Sequence, residues 1–379
     1  MKRILFVVNV DWFFMSHRLP IALQAIQEGY EVHLACSFSD KKFELEQLGI
    51  ICHSISFSRS GGSILDELTT LLKVRSIIKQ VGPKVVHAVT IKPVLYSGLA
   101  LQLSRNNRSP SFVAAISGLG YVFTAKTIRA RITKTLVSVF YKLSIRSKRK
   151  IVIFQNDSDK NILSKIVSLK KNEMEIIKGS GADLSIYKYH PERSDDIKVV
   201  SMACRLLKEK GVYNFVEAAR IVKKRFPETE FRLIGDVDFG NPNSISKEEV
   251  ESWVNEGVIV ALGQRGDIPW LFSESNLVTL PSFYGEGVPK VLIEAAACGR
   301  PIVTTNNPGC RDAVIENETG ITVPIRDSAS LAKAIIYLLE NKGIRQSMGL
   351  KARDYAVKEF DVNNVVKKHL DIYESLMVD

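Results

Sequence analysis

The feature that most constrains this chain is an alternation that runs almost from end to end. Short stretches rich in Val, Ile, Leu and Phe are separated by longer amphipathic segments. Strands buried on both faces read as continuous apolar runs, and parallel neighbours must be joined by crossovers, so the pattern predicts parallel sheets covered by helices. The predicted strands of the first half are residues 4–9, 31–35, 50–55, 85–89, 112–116 and 151–154. Among the helical segments between them, 65–79 is closed by Gly82-Pro83 as a stop signal. The cycle restarts with strands at 198–202, 231–234, 258–261, 277–280 and 301–304, and 343–377 reads as two terminal helices. Between the halves, 184–196 is turn-rich and has no sustained period. With 379 residues, 45% of them apolar, there is enough chain for two cores. The expectation is two Rossmann-like, doubly wound α/β domains in series, 1–183 and 197–360, with 184–196 as linker and 361–379 as a final helix.

Charge divides the chain unevenly. Residues 1–180 hold 27 Lys and Arg against 12 Asp and Glu, and the remainder holds 25 against 29, so the first part carries about +15 of a net +11. Such asymmetry points to an anionic partner for the first half. Its densest source is 126–150, with nine Lys or Arg, no acid, and Ile128, Ile132, Leu136, Val139, Phe140 and Leu143 interleaved at a helical period. A basic amphipathic face of this kind suits an anionic membrane surface, and an ordinary solvated helix is the alternative. Nucleic acid would also explain the charge, but no nucleic-acid motif accompanies it, so none is expected as a partner. Five cysteines without a C-x-x-C argue against a disulfide framework or zinc site and fit a reducing cytoplasm. The start is basic then apolar, but Asn9 and Asp11 interrupt it and no small-residue cleavage site follows, so it reads as a buried first strand. No run approaches the 18 uninterrupted apolar residues of a membrane span.

In doubly wound sheets, ligands bind beyond the carboxyl ends of the strands, so the chemistry should follow strands. After the strand at 198–202 come Arg205 and Lys210, ahead of a helix that begins near Gly211. Free N–H groups at a helix start, supplemented by two cations, suit a diphosphate whose charge grows as it leaves. After the strand at 277–280 comes Ser282-Phe-Tyr-Gly-Glu-Gly-Val-Pro-Lys290, leading into a helix at 291–297. Gly285 and Gly287 let backbone approach a ligand, and Pro289 suits the first helical turn. Glu286 is expected at the mouth and Glu294 deeper on the helix, roughly 10 Å apart on one face. That separation fits one extended ligand gripped at two points and is too wide for a shared proton or metal. Glu286 as a mere helix-dipole carboxylate and Glu294 as a surface residue is the alternative, although the apolar neighbours Leu292, Ile293, Ala295 and Ala296 argue against exposure.

Glu286-Gly287-Val288-Pro289 and Glu294-Ala295, with Pro281-Ser282, Ala297, Gly299 and Pro301, resemble the E-x7-E signature of the retaining glycosyltransferases of family 4. Arg205 with Lys210-Gly211 resembles that family's diphosphate-binding pair, and Gly181-Ala-Asp183 with Tyr187 resembles the approach to its linker. The resemblance implies the GT-B fold, two Rossmann-like domains facing across a cleft, with the C-terminal helix returning to the first domain. It implies that Glu286 contacts donor-sugar hydroxyls, Glu294 holds the ribose, and Arg205 and Lys210 neutralise the leaving diphosphate. Backbone N–H groups near Gly287 and Val288 would aid the sugar or phosphates, and the base is expected near Leu262-Gly-Gln-Arg265-Gly266. With protein cations in place, no metal and no resident cofactor are expected.

On the acceptor side, Val86-His-Ala-Val-Thr-Ile-Lys-Pro93 and Ile116-Ser-Gly-Leu-Gly-Tyr-Val-Phe123 resemble bacterial members that build O-antigens, capsules and lipid-linked oligosaccharides. The family's first-domain histidine has no clear counterpart, and His17, beside Arg18, is the nearest replacement. The expectation is a retaining hexosyltransferase that uses a nucleotide-diphosphate sugar, with UDP as the expected carrier, and a polyprenyl-diphosphate-linked acceptor. It would be cytoplasmic and peripheral on the inner membrane face. A nucleotide-sugar epimerase of the same fold, or a non-catalytic basic scaffold for membrane or nucleic acid, is the alternative; nucleotide-sugar binding separates the scaffold, and consumption of donor without acceptor separates the epimerase.

Overall fold

The apolar runs pair into two all-parallel sheets in the computed structural model, which describes residues 2–57, 63–104, 110–120, 123, 128–192 and 197–377. The first sheet holds β1 (Lys2–Val10), β2 (Tyr30–Ser37), β3 (Ile51–Ser54), β4 (Val85–Val89), β5 (Ser111–Ile116), β6 (Lys150–Phe154) and β7 (Met174–Ile176), in the order β3-β2-β1-β4-β5-β6-β7. The second holds β8 (Val199–Ala203), β9 (Glu230–Ile234), β10 (Val260–Gly263), β11 (Leu277–Leu280), β12 (Ile302–Thr305) and β13 (Gly320–Val323), in the order β10-β9-β8-β11-β12-β13. Both sheets wind outward from a reversal, between β1 and β4 in one and between β8 and β11 in the other. The central strands β4, β5, β8 and β11 are buried along their whole length, as the uninterrupted apolar runs predict.

Two strands do not follow from the sequence pattern. β7 and β13 are edge strands of three and four residues, and Glu175 and Thr322 break their apolar runs. Another strand is displaced: in the stretch predicted at 258–261, Val258 and Ile259 are buried, yet pairing begins at the half-exposed Val260. Apolar character marked burial there, not the ladder.

The chain divides into two units, Met1–Ser180 with Asn363–Asp379, and Gly181–Val362. Residues 184–192 belong to the second unit, and 193–196 lie outside the described residues. Glu192 is held by Arg345 at 2.5 Å and by the Asn276 amide, and both members of this ion pair are buried. Tyr187 reaches the helix Lys290–Ala297.

The terminal helix Val362–Met377 packs on the first sheet. Tyr373 Oη lies 2.6 Å from His87 Nδ1 on β4, and Ser111 Oγ of β5 donates to the Leu376 carbonyl at 3.0 Å. His369, stacked on His87, shares Nδ1 with the Val365 carbonyl at 2.7 Å. Burial holds both imidazoles neutral: His87 falls well below its ordinary value, with His369 and Arg18 adding to the effect, and His369 falls to about 3. A histidine depressed in the fold binds its proton first in the unfolded chain, so stability is full above the unfolded value near 6.5 and is lost as pH falls below it. Each histidine should cost about 1.4 kcal/mol per pH unit in that window. Hydrogen exchange of 362–377, corrected for intrinsic rate, is expected to accelerate between pH 7.5 and 5, and His369→Leu should flatten the dependence; equal protection at both values would contradict it.

Candidate active site

The reversal between β8 and β11 forces the loops that leave these two strands to part, and the predicted chemistry sits on them. After β8 the chain passes Cys204 and Arg205, makes a short turn at Lys208–Lys210, and enters the helix Val212–Lys223 through Gly211. Gly211 is needed twice over. Its φ of 82° is left-handed, and a Cβ there would stand 2.1 Å from the Pro281 carbonyl oxygen. The loop after β11 is stitched to this turn: Phe283 N and Ser282 Oγ both donate to the Glu209 carbonyl, at 3.0 and 3.1 Å.

That stitching brings Lys210 to Glu286. Lys210 Nζ lies 2.6 Å from Glu286 Oε1, and Ser282 Oγ donates to the same oxygen at 2.7 Å. Burial alone would push the Lys210 pKa down; the Glu286 carboxylate more than offsets this and holds it above the ordinary lysine value, with Arg205 opposing. Lys210 is therefore a fixed cation. Behind the pair, Gly309 has φ 84°, and a Cβ on it would meet the Gly287 and Glu286 carbonyl oxygens at 2.0 and 2.5 Å. Thr305 and Asn307 tie down the carbonyls of Ser282 and Tyr284.

Glu294 is on the helix Lys290–Ala297 and is buried, as its apolar neighbours predict. Helical geometry does not relate it to Glu286, because the helix starts only at Lys290 and Glu286 lies in the preceding loop. Tyr187 Oη donates to Glu294 Oε1 at 2.6 Å, and Lys290 Nζ stands 3.3 Å from the same oxygen. Burial raises the Glu294 pKa above the ordinary carboxylate range, against the lowering influence of Lys290 and Tyr187. In both carboxylates these contacts fall on Oε1, which leaves Oε2 outside them.

The other candidates fall differently. Gly287, Val288 and Pro289 are buried in the loop between Glu286 and the helix, with Pro289 as the residue that caps it. Arg205 is half exposed and pairs with Asp238 at 2.9 Å. Arg265 forms a two-pronged pair with Asp267, at 2.8 and 2.6 Å. His17, in the first unit, closes the helix Asp11–His17, stacked on Phe13 at 4.2 Å with Nδ1 2.6 Å from Ser16 Oγ. Burial lifts all five free thiols, those of Cys204, Cys298 and Cys310 to about 12, so none is a ready thiolate. Among the described residues no group of three His, Cys, Asp or Glu is placed to hold a metal ion. Sequence reasoning assigned no role to Ser282, Lys290 or Gly309 and saw Tyr187 only as part of a motif. Only Lys290 carried a signal, its i,i+4 spacing to Glu294.

Two all-parallel α/β units in series, each wound outward from a reversal, define the GT-B class of glycosyltransferase fold. Residues 187–355 match the family described as "Glycosyl transferases group 1" and residues 3–156 match "Glycosyl transferase 4-like", so the chain carries these two glycosyltransferase domains. It is 26% identical to the N,N'-diacetylbacillosaminyl-diphospho-undecaprenol alpha-1,3-N-acetylgalactosaminyltransferase of Campylobacter jejuni, over 96% of this chain and 98% of the relative. It is 23% identical to the UDP-Gal:alpha-D-GlcNAc-diphosphoundecaprenol alpha-1,3-galactosyltransferase of Escherichia coli, over 93% of this chain and 91% of the relative. Among solved structures, Anabaena Alr3699/HepE in complex with UDP and glucose shares the fold at a TM-score of 0.78, with 21% identity over 99% of this chain and 100% of that one.

Gly309→Ala should displace the Glu286–Gly287 backbone and lower transfer about a hundredfold, the cost typical of a misplacement near 1 Å. Gly240→Ala is the control, since Gly240 has the same φ of 84° with nothing within 4 Å. If both variants lose activity equally, backbone strain and not collision is responsible.

Proposed function

We propose that this glycosyltransferase moves a hexose or N-acetylhexosamine from a UDP-sugar to a polyprenyl-diphosphate-linked saccharide, with retention, in the synthesis of a surface polysaccharide or glycan. The observation that carries the reading is the Lys210–Glu286 pair at the β8–β11 reversal, a fixed cation and a carboxylate with one oxygen outside their contact. Lys210 and Arg205 are cations suited to the leaving diphosphate, Glu286 to sugar hydroxyls, and Glu294 to the ribose. The two relatives named for diphospho-undecaprenol substrates, one of them also for UDP-Gal, support the acceptor class and the carrier.

In the step proposed, the bond between the anomeric carbon and the diphosphate oxygen breaks on the face where the acceptor hydroxyl attacks. The acceptor proton passes to the departing phosphate oxygen. No bound metal takes part, because Lys210 and Arg205 supply the charge. Transfer from UDP-sugar to a polyprenyl-diphosphate sugar should therefore persist in EDTA; loss on chelation and recovery with Mg²⁺ would overturn this part. Glu294→Ala should chiefly raise the donor KM, since a ribose grip is made in ground and transition states alike. A large fall in kcat at unchanged donor KM would contradict the assignment.

The same reading places the protein at the cytoplasmic membrane face. No helix among the described residues is long and apolar enough to cross a membrane. The helix Ile128–Ser144 leaves Leu136, Val139, Phe140 and Leu143 exposed at i, i+3, i+4 and i+7, with Lys134 and Lys142 exposed beside them. Lys126 and the side chains of Arg129 and Arg131 lie outside the described residues. Lys150 instead begins β6 and pairs with Glu173 at 2.7 Å, so it is not part of this face. Each basic residue near an anionic surface contributes about 1 kcal/mol, screened over about 8 Å at physiological salt. Replacing Arg129, Arg131, Lys134 and Lys142 by Gln should weaken co-sedimentation with anionic vesicles and slow transfer to a long-chain acceptor but not to a short soluble one. Unchanged vesicle binding at low salt would return the segment to an ordinary solvated face.

A further inference from the structure

At the edge of the second sheet opposite Lys210 and Glu286, a cavity of about 190 Å³ lies between the stretch 189–192 and the amino ends of β11 and β12. Asn276 and Pro301, which directly precede those strands, line it together with Glu192, Arg300 and Arg345. Gln346 and Leu350, on the helix Lys342–Glu359, line it too and are exposed, so the cavity has a way in from solvent. Its volume is that of about six waters at roughly 30 Å³ each, enough for a ligand of phosphate size.

The two arginines are both buried but are held differently. Arg345, 1% exposed, has its charge met by Glu192, and its Nη1 donates to the Leu338 and Leu339 carbonyls. Glu192 also accepts from the Asn276 amide, so this carboxylate is fully engaged. Arg300, 2% exposed, has no ion pair among the described residues. Its Nε donates to the Phe272 carbonyl at 2.8 Å, and its Nη2 to the His190 and Ser273 carbonyls at 2.8 and 2.7 Å. Carbonyls satisfy donors without supplying a counter-charge. Burial accordingly pushes the Arg300 pKa down, and the influence of Cys298, Glu192, Tyr189 and Glu274 in the other direction does not offset it. Nη1 takes part in none of these bonds.

Two buried cations therefore share one carboxylate around this cavity, and that imbalance selects the ligand. Water would bond to Nη1 but leave the charge uncompensated, and an apolar ligand would do neither. An oxyanion brings both the missing charge and acceptor lone pairs, and the guanidinium fork matches phosphate and carboxylate geometry. We propose that the cavity binds a small oxyanion of phosphate size on Arg300, as a second ligand site of this unit on the edge of the sheet away from the candidate active site.

Inorganic phosphate is the probe, applied to the full chain with saturating UDP to occupy the Lys210 site. At a hundred times its dissociation constant, phosphate should raise the melting temperature by about 5 °C. Chloride at matched ionic strength should leave it unchanged. Gln346 takes part in none of the bonds above and is exposed, so its charge can be altered without breaking the network. By titration calorimetry, Gln346→Glu should weaken phosphate about fivefold and Gln346→Lys should tighten it by about as much. Arg300→Lys keeps the charge and loses the fork, and phosphate affinity should fall about tenfold. Equal affinity in the wild type and both Gln346 variants would show that phosphate binds elsewhere and would overturn the inference. A wild-type shift no larger than that with chloride would overturn it as well. Neither result bears on the transfer reaction, which is read by UDP binding and turnover, and the Gln346 contrast reads this cavity even if UDP does not bind.

Discussion

A parallel strand cannot be followed by a hairpin, so every connection in these sheets must cross a face and return, and all the strands end at the same edge. Where the winding reverses, the loops from two neighbouring strands leave in opposite directions, and the space between them cannot be filled by either crossover. The rest of the molecule depends on that constraint. It brings the loop after β8 and the loop after β11, about 75 residues apart in sequence, to hydrogen-bonding distance at Glu209, Ser282 and Phe283. It also makes β1 and β4 neighbours in the other sheet, paired from Ile4–Val85 to Val7–Ala88.

Within the second unit, the site is assembled before any ligand arrives. A nearly buried ammonium costs several kcal/mol to desolvate unless a partner stands against it, and Glu286 is that partner for Lys210. Ser282 orients the shared oxygen, and Gly211 and Gly309 allow backbone to approach where any side chain would collide. Glu294 is held in the same manner by Tyr187 and Lys290. A ligand that engages the remaining oxygens of these carboxylates meets side chains already fixed, so little conformational entropy is lost on binding.

The two units solve the same topological problem with different chemistry. The second meets its reversal with ion pairs and satisfied hydrogen bonds, while in the first β4 runs into Thr90, a β-branched residue held at φ 75° and ψ 168°. The first unit also borrows the end of the chain: Tyr373 and His369 cover β4 through His87, where burial keeps two imidazoles uncharged. His87 and His369 thus serve the packing of the terminal helix on the first sheet.

By itself the sequence determined the strand and helix alternation, hence parallel sheets in two series, because burial on both faces writes itself as unbroken apolar runs. It also determined that Arg205, Lys210, Glu286 and Glu294 would follow or flank strands β8 and β11, since position after a strand is a local property. Edge strands β7 and β13 escaped it because Glu175 and Thr322 break runs of only three or four residues. The partners of the key side chains escaped it for a different reason. Tyr187 reaches Glu294 across 107 residues, Lys210 reaches Glu286 across 76, and Tyr373 reaches His87 across 286. Such pairings are set by sheet order and loop path, which hydrophobic pattern does not encode; neither is the backbone strain at Thr90, where the residue type alone would announce an ordinary helix cap. Tertiary structure alone decided them, because a hydrogen bond depends on where two distant segments meet in space and not on the composition of either.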